Sequence, residues 1–276
     1  MDRTILITGA NRGLGHAFAT AALDAGHRVV GTMRNDRDRR DFEAIEPGRA
    51  MAFLLDVSDH ARIPSAIRTI EAEVGAIDVL ISNAGYGHEG VLEESPLEAL
   101  IRQFDVNVFG AVAVIKTLLP GMRQRRRGHI ITLSSLAGHV PFPGIAYYSA
   151  SKFAVEAIAG VLAKEVAAFG IHVTSVAPGS FRTDWAGSSL VRAERSIAEY
   201  DAIFDPIRAA RQAKSGHQVG NPAKAAEALM KIIEADRPPL HLVLGKDALR
   251  QVREHANARL AELDAWEALS LSTEYE

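Results

Sequence analysis

The 276-residue chain contains no cysteine, which removes disulfides, thiolate nucleophiles and thiolate metal sites together. That composition fits a reducing compartment, and the expected location is the cytoplasm. A large excess of one charge is also missing. The net charge of −3 gives no support for nucleic acid or an acidic membrane as the main partner. One basic cluster, Arg123 and Arg125 to Arg127, stands where a helix is expected to end, and cations there complement the helix dipole. No stretch reaches the roughly 18 uncharged apolar residues of a membrane span. The best candidate, FDVNVFGAVAVIKTLL, carries Asp105, Asn107 and Lys116. The N-terminal MDRTILITGA runs straight into a strand pattern without a signal-peptide layout, so secretion is not expected, and with no apolar span no membrane partner is expected either. His88, His139 and His172 lack metal-ligand spacing, and no metal site is expected. Internal repeats, low-complexity tracts and Gly/Ser-rich linkers are absent too.

What the chain does have is alternation. Short apolar runs, TILIT, HRVVGTM, MAFLLDV, IDVLIS, HIITLS, IHVTSVAP and LHLVL, are separated by longer helical patterns, the first from Leu14 to Ala25. Parallel strands need crossover connections, so this order predicts one α/β domain over residues 1–276, a parallel sheet of about seven strands with helices on both faces. Ser95-Pro96 with Glu98, and Asn221-Pro222, read as helix starts. Residues 185–220 mix polar and apolar types without a clean period and follow a strand's C-terminal end, which predicts a mobile helical lid. The helix from Ser151 to Phe169 is apolar on nearly every face, which suggests burial against a second subunit. A C-terminal amphipathic helix over about 246–270 is expected to wall the pocket or extend an interface.

The first strand leads into TGANRGLG, with Gly9, Gly13 and Gly15 in a turn that opens a helix. Glycines there let backbone approach a pyrophosphate, and the helix N-terminus supplies free N–H groups. The second strand ends at Met33, where an acid would bind a ribose 2′-hydroxyl and repel a 2′-phosphate. Arg34 follows, and Arg12 stands in the glycine turn, so two guanidiniums can meet a 2′-phosphate, favouring NADP(H). Asp36 and Asp38 keep NAD(H) open, since a small register error would bring an acid to the ribose. Farther along, Tyr148 and Lys152 in YSASK share a helix face at i,i+4. A neighbouring ammonium favours a phenolate, so the pair is a plausible acid/base device.

These elements, in this order over about the first 185 residues, resemble the short-chain dehydrogenase/reductase family: TGANRGLG, Asp56-Val57, SNAG ending at Gly85, Asn107, Ser135, Tyr148 with Lys152, and PGSFRT from Pro178. The resemblance implies a doubly wound Rossmann domain with strand order 3-2-1-4-5-6-7. It implies Tyr148 as the proton donor or acceptor at the substrate oxygen, and Ser135, thirteen residues earlier, as the hydroxyl holding that oxygen. Lys152 would bind the nicotinamide ribose and lower the Tyr148 pKa, with Asn107 holding a relay water. For the cofactor it implies Gly9, Asn11, Arg12, Gly13, Leu14 and Gly15 in the turn, then Arg34, Asp56 and Val57 around the adenosine. Asn83, Ala84 and Gly85 would line the cleft, and Pro178, Gly179, Phe181 and Thr183 would embrace the nicotinamide end with Tyr148 and Lys152. Ser82 departs from the asparagine many members carry.

The expected activity is hydride transfer between NADP(H) and an alcohol/carbonyl pair, as a ketone or aldehyde reductase on an apolar small molecule. His139, Phe142, Phe181, Trp185 and Phe204 are pocket candidates. Two alternatives stand beside it: a catalytically silent NADP-sensing protein of the same fold, and a relative performing epimerisation, dehydration or enoyl reduction. A homodimer or homotetramer is expected from the family.

Overall fold

The computed structural model describes residues 2–187 and 189–275. The apolar runs form β1 (Thr4–Thr8), β2 (Arg28–Met33), β3 (Ala50–Leu54), β4 (Val79–Ser82), β5 (Gly128–Leu133), β6 (Ile171–Pro178) and β7 (His241–Leu244). All pair in parallel, in the order β3-β2-β1-β4-β5-β6-β7, as expected. Because side chains alternate across a strand, β1 serves two cores. Ile5 and Ile7 meet Phe18 and Ala19 of α1 (Gly13–Asp24), Phe42 of α2 (Asp36–Glu43), and residues of α8 named below. Leu6 faces Ile63, Ile67 and Ile70 of α3 (Ile63–Val74) on the opposite side. Full burial of such a side chain contributes roughly 1.5–3 kcal/mol, so a one-residue slip of β1 is strongly disfavoured.

Beyond α3, α4 (Leu97–Phe104), a π-helical turn (Asp105–Gly110) and α5 (Ala111–Arg125) run continuously. This run, Leu97–Arg125, is long and apolar enough by length and composition to cross a membrane. Its apolar residues Val114, Ile115, Leu118 and Met122 pack into the second core, as a core helix requires. The arginine cluster at its end does more than complement a dipole. Arg125 donates to the Ile77 carbonyl, Arg126 to that of Ala168, and Arg127 pairs with Asp78 at 2.6 Å.

The remaining helices are α6 (Ala146–Val166), α7 (Asp201–Ala213), α8 (Pro222–Glu234), α9 (Lys246–Ala265) and α10 (Glu267–Leu271). Leu229 and Ile233 of α8 complete the first core. Asn221 caps α8 as expected, its side chain accepting from the Ala223 N–H. Ser95 does not cap α4. Its hydroxyl donates back to the Val91 carbonyl at 2.8 Å, a local bond that takes the group away from the helix end.

The excursion after β6 is fastened rather than loose. Its strand Leu190–Arg192 pairs with Gly87–Glu89. Glu89, fully buried, pairs with Arg192 at 2.9 Å, Arg208 at 3.5 Å and Arg211. Glu94 likewise pairs with Arg195 and accepts from the N–H groups of Ser196 and Ile197. Two buried carboxylates thus hold the segment to the body, because withdrawing either partner would strand a buried charge.

Candidate active site

A cleft of about 1240 Å³ opens at the C-terminal ends of the strands. At one end α1 begins with Arg12 at its N-cap, without a side-chain cap and without an acid in its first turn. Its opening N–H groups and dipole are therefore available to an anion. Gly9, Asn11, Arg12, Gly13 and Leu14 line the cleft there, and Gly9 adopts φ 66°, a region glycine enters without strain. Gly15 does not line it. A Cβ on Gly15 would lie 2.4 Å from the Gly9 carbonyl oxygen and 2.5 Å from Asn83 Nδ2, so this glycine lets the turn close on Asn83. The Asn83 amide donates to the carbonyls of Thr8 and Gly9 at 2.9 Å each, locking turn to strand end. These features fit a dinucleotide pyrophosphate.

Beside the glycine turn, at the ends of β2 and β3, the cleft is lined by Met33, Arg34, Asp56 and Val57. Burial would raise the Asp56 carboxyl, but hydrogen bonds from the Ser58 N–H and hydroxyl, with the Arg34 charge, hold it below the usual carboxylate range. Met33 does close β2, so the register is the expected one. Asp36 pairs with Arg39 at 3.1 Å inside α2. Asp38 lines the cleft and accepts from the amides of Asn11 (2.7 Å) and Asn35 (2.8 Å), bracing the glycine turn against the start of α2.

At the other end the cleft is lined by Asn83, Ala84, Gly85, Ser135, Tyr148, Lys152, Pro178, Gly179, Phe181 and Thr183. Ser135 leaves β5 in an extended conformation and its oxygen accepts from the Ala137 N–H at 3.1 Å. Tyr148 and Lys152, in the first turns of α6, are both buried. Lys152 Nζ donates to the Leu133 carbonyl at 2.6 Å and lies 5.7 Å from the Tyr148 ring centre. The expected lowering of the Tyr148 pKa is not what the structure shows. Burial pushes the phenol up to about 12, against the neighbouring Ser135 hydroxyl and Trp185 indole N–H, whose polar hydrogens favour the phenolate. Burial likewise lowers Lys152 to about 8, with Glu156 opposing it. Desolvation is the largest influence on both members of the pair.

Asn107 stands behind the cleft rather than on it, in the π-turn. Its Oδ1 accepts from the Tyr86 N–H at 3.1 Å, and its Nδ2 donates to the Tyr86 carbonyl and to Ser151 Oγ. Ser151 in turn donates to the Tyr148 carbonyl, so the π-turn is tied to the helix that carries the Tyr–Lys pair.

Phe142, Phe181 and Trp185 line the cleft, whereas His139 and Phe204 do not. Phe204 is buried against Gly144, with Arg195 and Arg208 over its ring. His139 turns to Glu156, whose carboxylate lies 3.0 Å from His139 Nε2 and 3.2 Å from His241 Nδ1. Burial would raise Glu156, but the His139 contact, with Ser134 and Ser175, holds it below the usual carboxylate range. The Trp185 ring lies 5.1 Å from that of Tyr148, and its indole nitrogen is buried beside the phenol without an ordinary hydrogen bond. Glu156 has a sequence signal, four residues past Lys152; Arg211 and Lys214, which line the cleft from α7 and beyond, have none.

The sequence matches the short chain dehydrogenase family over residues 3–192. A crystal structure of a short-chain dehydrogenase from Streptomyces avermitilis superposes with a TM-score of 0.93 at 39% identity, covering 99% of this chain and 98% of that one. Oxidoreductase BOA17 of Botryotinia fuckeliana is 36% identical over 99% of this chain and 100% of its own. The 3-ketodihydrosphingosine reductase of Bacteroides thetaiotaomicron is 36% identical over 87% of each. The strand order, the glycine turn and the Tyr148–Lys152 pair at the mouth of one cleft agree with these matches, and the chain belongs to the short-chain dehydrogenase family.

Proposed function

We propose that this protein is an NADP(H)-dependent carbonyl reductase acting on an apolar ketone or aldehyde. That it is an oxidoreductase of the alcohol/carbonyl type follows from its family. The observation carrying the finer reading is that Ser135, Tyr148 and Lys152 share one cleft with the uncapped start of α1. When bound, the nicotinamide supplies the hydride. Tyr148 gives its proton to the carbonyl oxygen as charge develops there, and the Ser135 hydroxyl donates to that same oxygen. With its phenol pushed up to about 12, Tyr148 is a proton donor throughout the neutral range. Lys152 holds ribose hydroxyls and, while charged, stabilises the phenolate left behind. Asn107, held in the π-turn by its bonds to Tyr86, would hold the water that returns the proton.

Arg12 and Arg34 seat the 2′-phosphate at the end of β2, where Met33 stands in place of an acid. Asp56 and Val57 bound the adenine; Pro178, Gly179, Phe181 and Thr183 bound the nicotinamide. Phe142, Phe181 and Trp185 give the substrate end its apolar character, in keeping with a relative named 3-ketodihydrosphingosine reductase. We treat residues 1–276 as one catalytic domain with a lid over 185–220 and a C-terminal extension over 246–270. A groove of about 390 Å³ between α5 and α6, lined by Val112, Ile115, Leu119, Ile158 and Val161, supports a homodimer or homotetramer. A cysteine-free sequence supports a cytoplasmic setting. Tyr148→Phe is expected to bind NADPH as the parent does and to lose nearly all turnover; an equally active variant rejects the assigned acid. NADPH should bind tighter than NADH, and Arg34→Ala should narrow that gap.

A further inference from the structure

The root of α9 belongs to the cleft. Gln251 lines it, the Asp247 carboxylate accepts from the Ser180 N–H, and Ala248 is buried. The rest of the helix leaves the body. Every described residue from 256 to 275 is exposed, including Leu260 and Leu263 at 57% each and Trp266 at 61%. Helices in proteins draw most of their stability from packing an amphipathic face. This one has such a face and no body beneath it. At about 100° per residue, Leu249, Val252, Ala256, Leu260 and Leu263 fall within an arc of about 80°.

The charges say what covers it. Residues 246–259 carry Lys246, Arg250, Arg253 and Arg259 against Asp247 and Glu254; residues 260–275 carry Glu262, Asp264, Glu267 and Glu274 with no cation. The helix is basic where it leaves the body and acidic at its far end. A copy laid parallel would set like charge beside like. A copy laid antiparallel sets basic half against acidic half and closes the two apolar stripes on each other. An acidic membrane would be repelled by the distal half, where the most exposed leucines and Trp266 lie.

We propose that α9 pairs antiparallel with α9 of a second copy of this chain, across a two-fold axis near Ala256. The interface is isologous, so one patch serves both subunits and each side-chain change acts twice. It differs from the α5–α6 groove, and because the root of α9 touches the Ser180 loop, the pairing braces one wall of each cleft.

The absence of cysteine supplies the test. The full-length chain carrying Ala256→Cys should form a covalent dimer with a short bis-maleimide at low protein concentration, whereas Ala258→Cys, on the opposite helix face, should not. Adding Leu263→Glu to Ala256→Cys should lower the crosslinked yield by at least about tenfold, since two leucines lose their burial at once, while NADPH binding confirms an intact body. Equal crosslinking of both cysteine variants, or none, overturns the pairing. So does co-sedimentation of the uncrosslinked chain with phosphatidylcholine–phosphatidylserine vesicles that Leu263→Glu abolishes, which would assign the stripe to a lipid surface.

Discussion

Glu156 lies one helical turn beyond Lys152 on α6, its carboxylate clasped by His139 at 3.0 Å and His241 at 3.2 Å, and it raises the proton affinity of an ammonium that burial depresses. The Tyr–Lys pair is thus backed by a buried anion on the side away from the cleft. Without it, desolvation would act on Lys152 unopposed.

A pH dependence follows. Lys152 is charged below about 8 and loses its charge above, so kcat/KM for carbonyl reduction should fall as the pH rises through that region. Glu156→Gln removes the group that holds the value up, and the falling limb should move to lower pH with NADPH affinity near that of the parent. A limb left in place would separate Glu156 from Lys152.

Trp185→Phe keeps a ring against Tyr148 and deletes the N–H beside its oxygen. Because that N–H makes no ordinary hydrogen bond in the structure, its loss should cost less than the about 1 kcal/mol of a full one, a drop in turnover of under about fivefold, and more in alcohol oxidation, where the phenolate must form. Steady-state rates in both directions read this out, and equal losses would assign the residue to packing alone.

Gly15→Ala places a methyl carbon on the Gly9 carbonyl and the Asn83 amide, neither of which can retreat without breaking the Asn83 bonds to β1. We expect a destabilisation of about 1–3 kcal/mol by urea titration, together with weakened NADPH binding. Retention of both properties would mean that the turn has slack the geometry does not suggest.

His129 is buried on β5, 2.9 Å from the Thr174 hydroxyl, and burial first, then the charges of His172 and Arg3, lower it to about 3. The unfolded chain binds a proton at this position near 6.5, so between about 3 and 6.5 it holds more protons than the folded one. Stability from this site should therefore be lost as the pH falls through that window, at up to about 1.4 kcal/mol per unit. His129→Leu should flatten the slope of unfolding midpoint against pH from 6.5 to 4.5.

The fold was largely legible because period and order are local properties. TILIT and HIITLS read as buried strands, and the spacing between them left crossover helices as the economical connection. Most of the cleft was legible too, since Gly9 to Leu14 and Tyr148 to Lys152 lie within single turns. The capping role expected of Ser95 did not appear, because a nearer carbonyl at Val91 takes its hydroxyl. The helical character of the segment over 185–220 was legible, but its anchoring to the body was not. Glu89 and its three arginines are separated by more than 100 residues, and no periodicity reports such a pairing.

The sequence by itself determined the parallel sheet, the glycine turn at its first strand end, and the presence of serine, tyrosine and lysine at family intervals, because each rests on neighbours in the chain. Tertiary structure decided the protonation balance at Tyr148 and Lys152, the bracing of Lys152 by Glu156, and the exposure of the distal half of α9. Burial is the reason. Desolvation depends on everything that surrounds a group, and those surroundings are assembled only when distant segments meet.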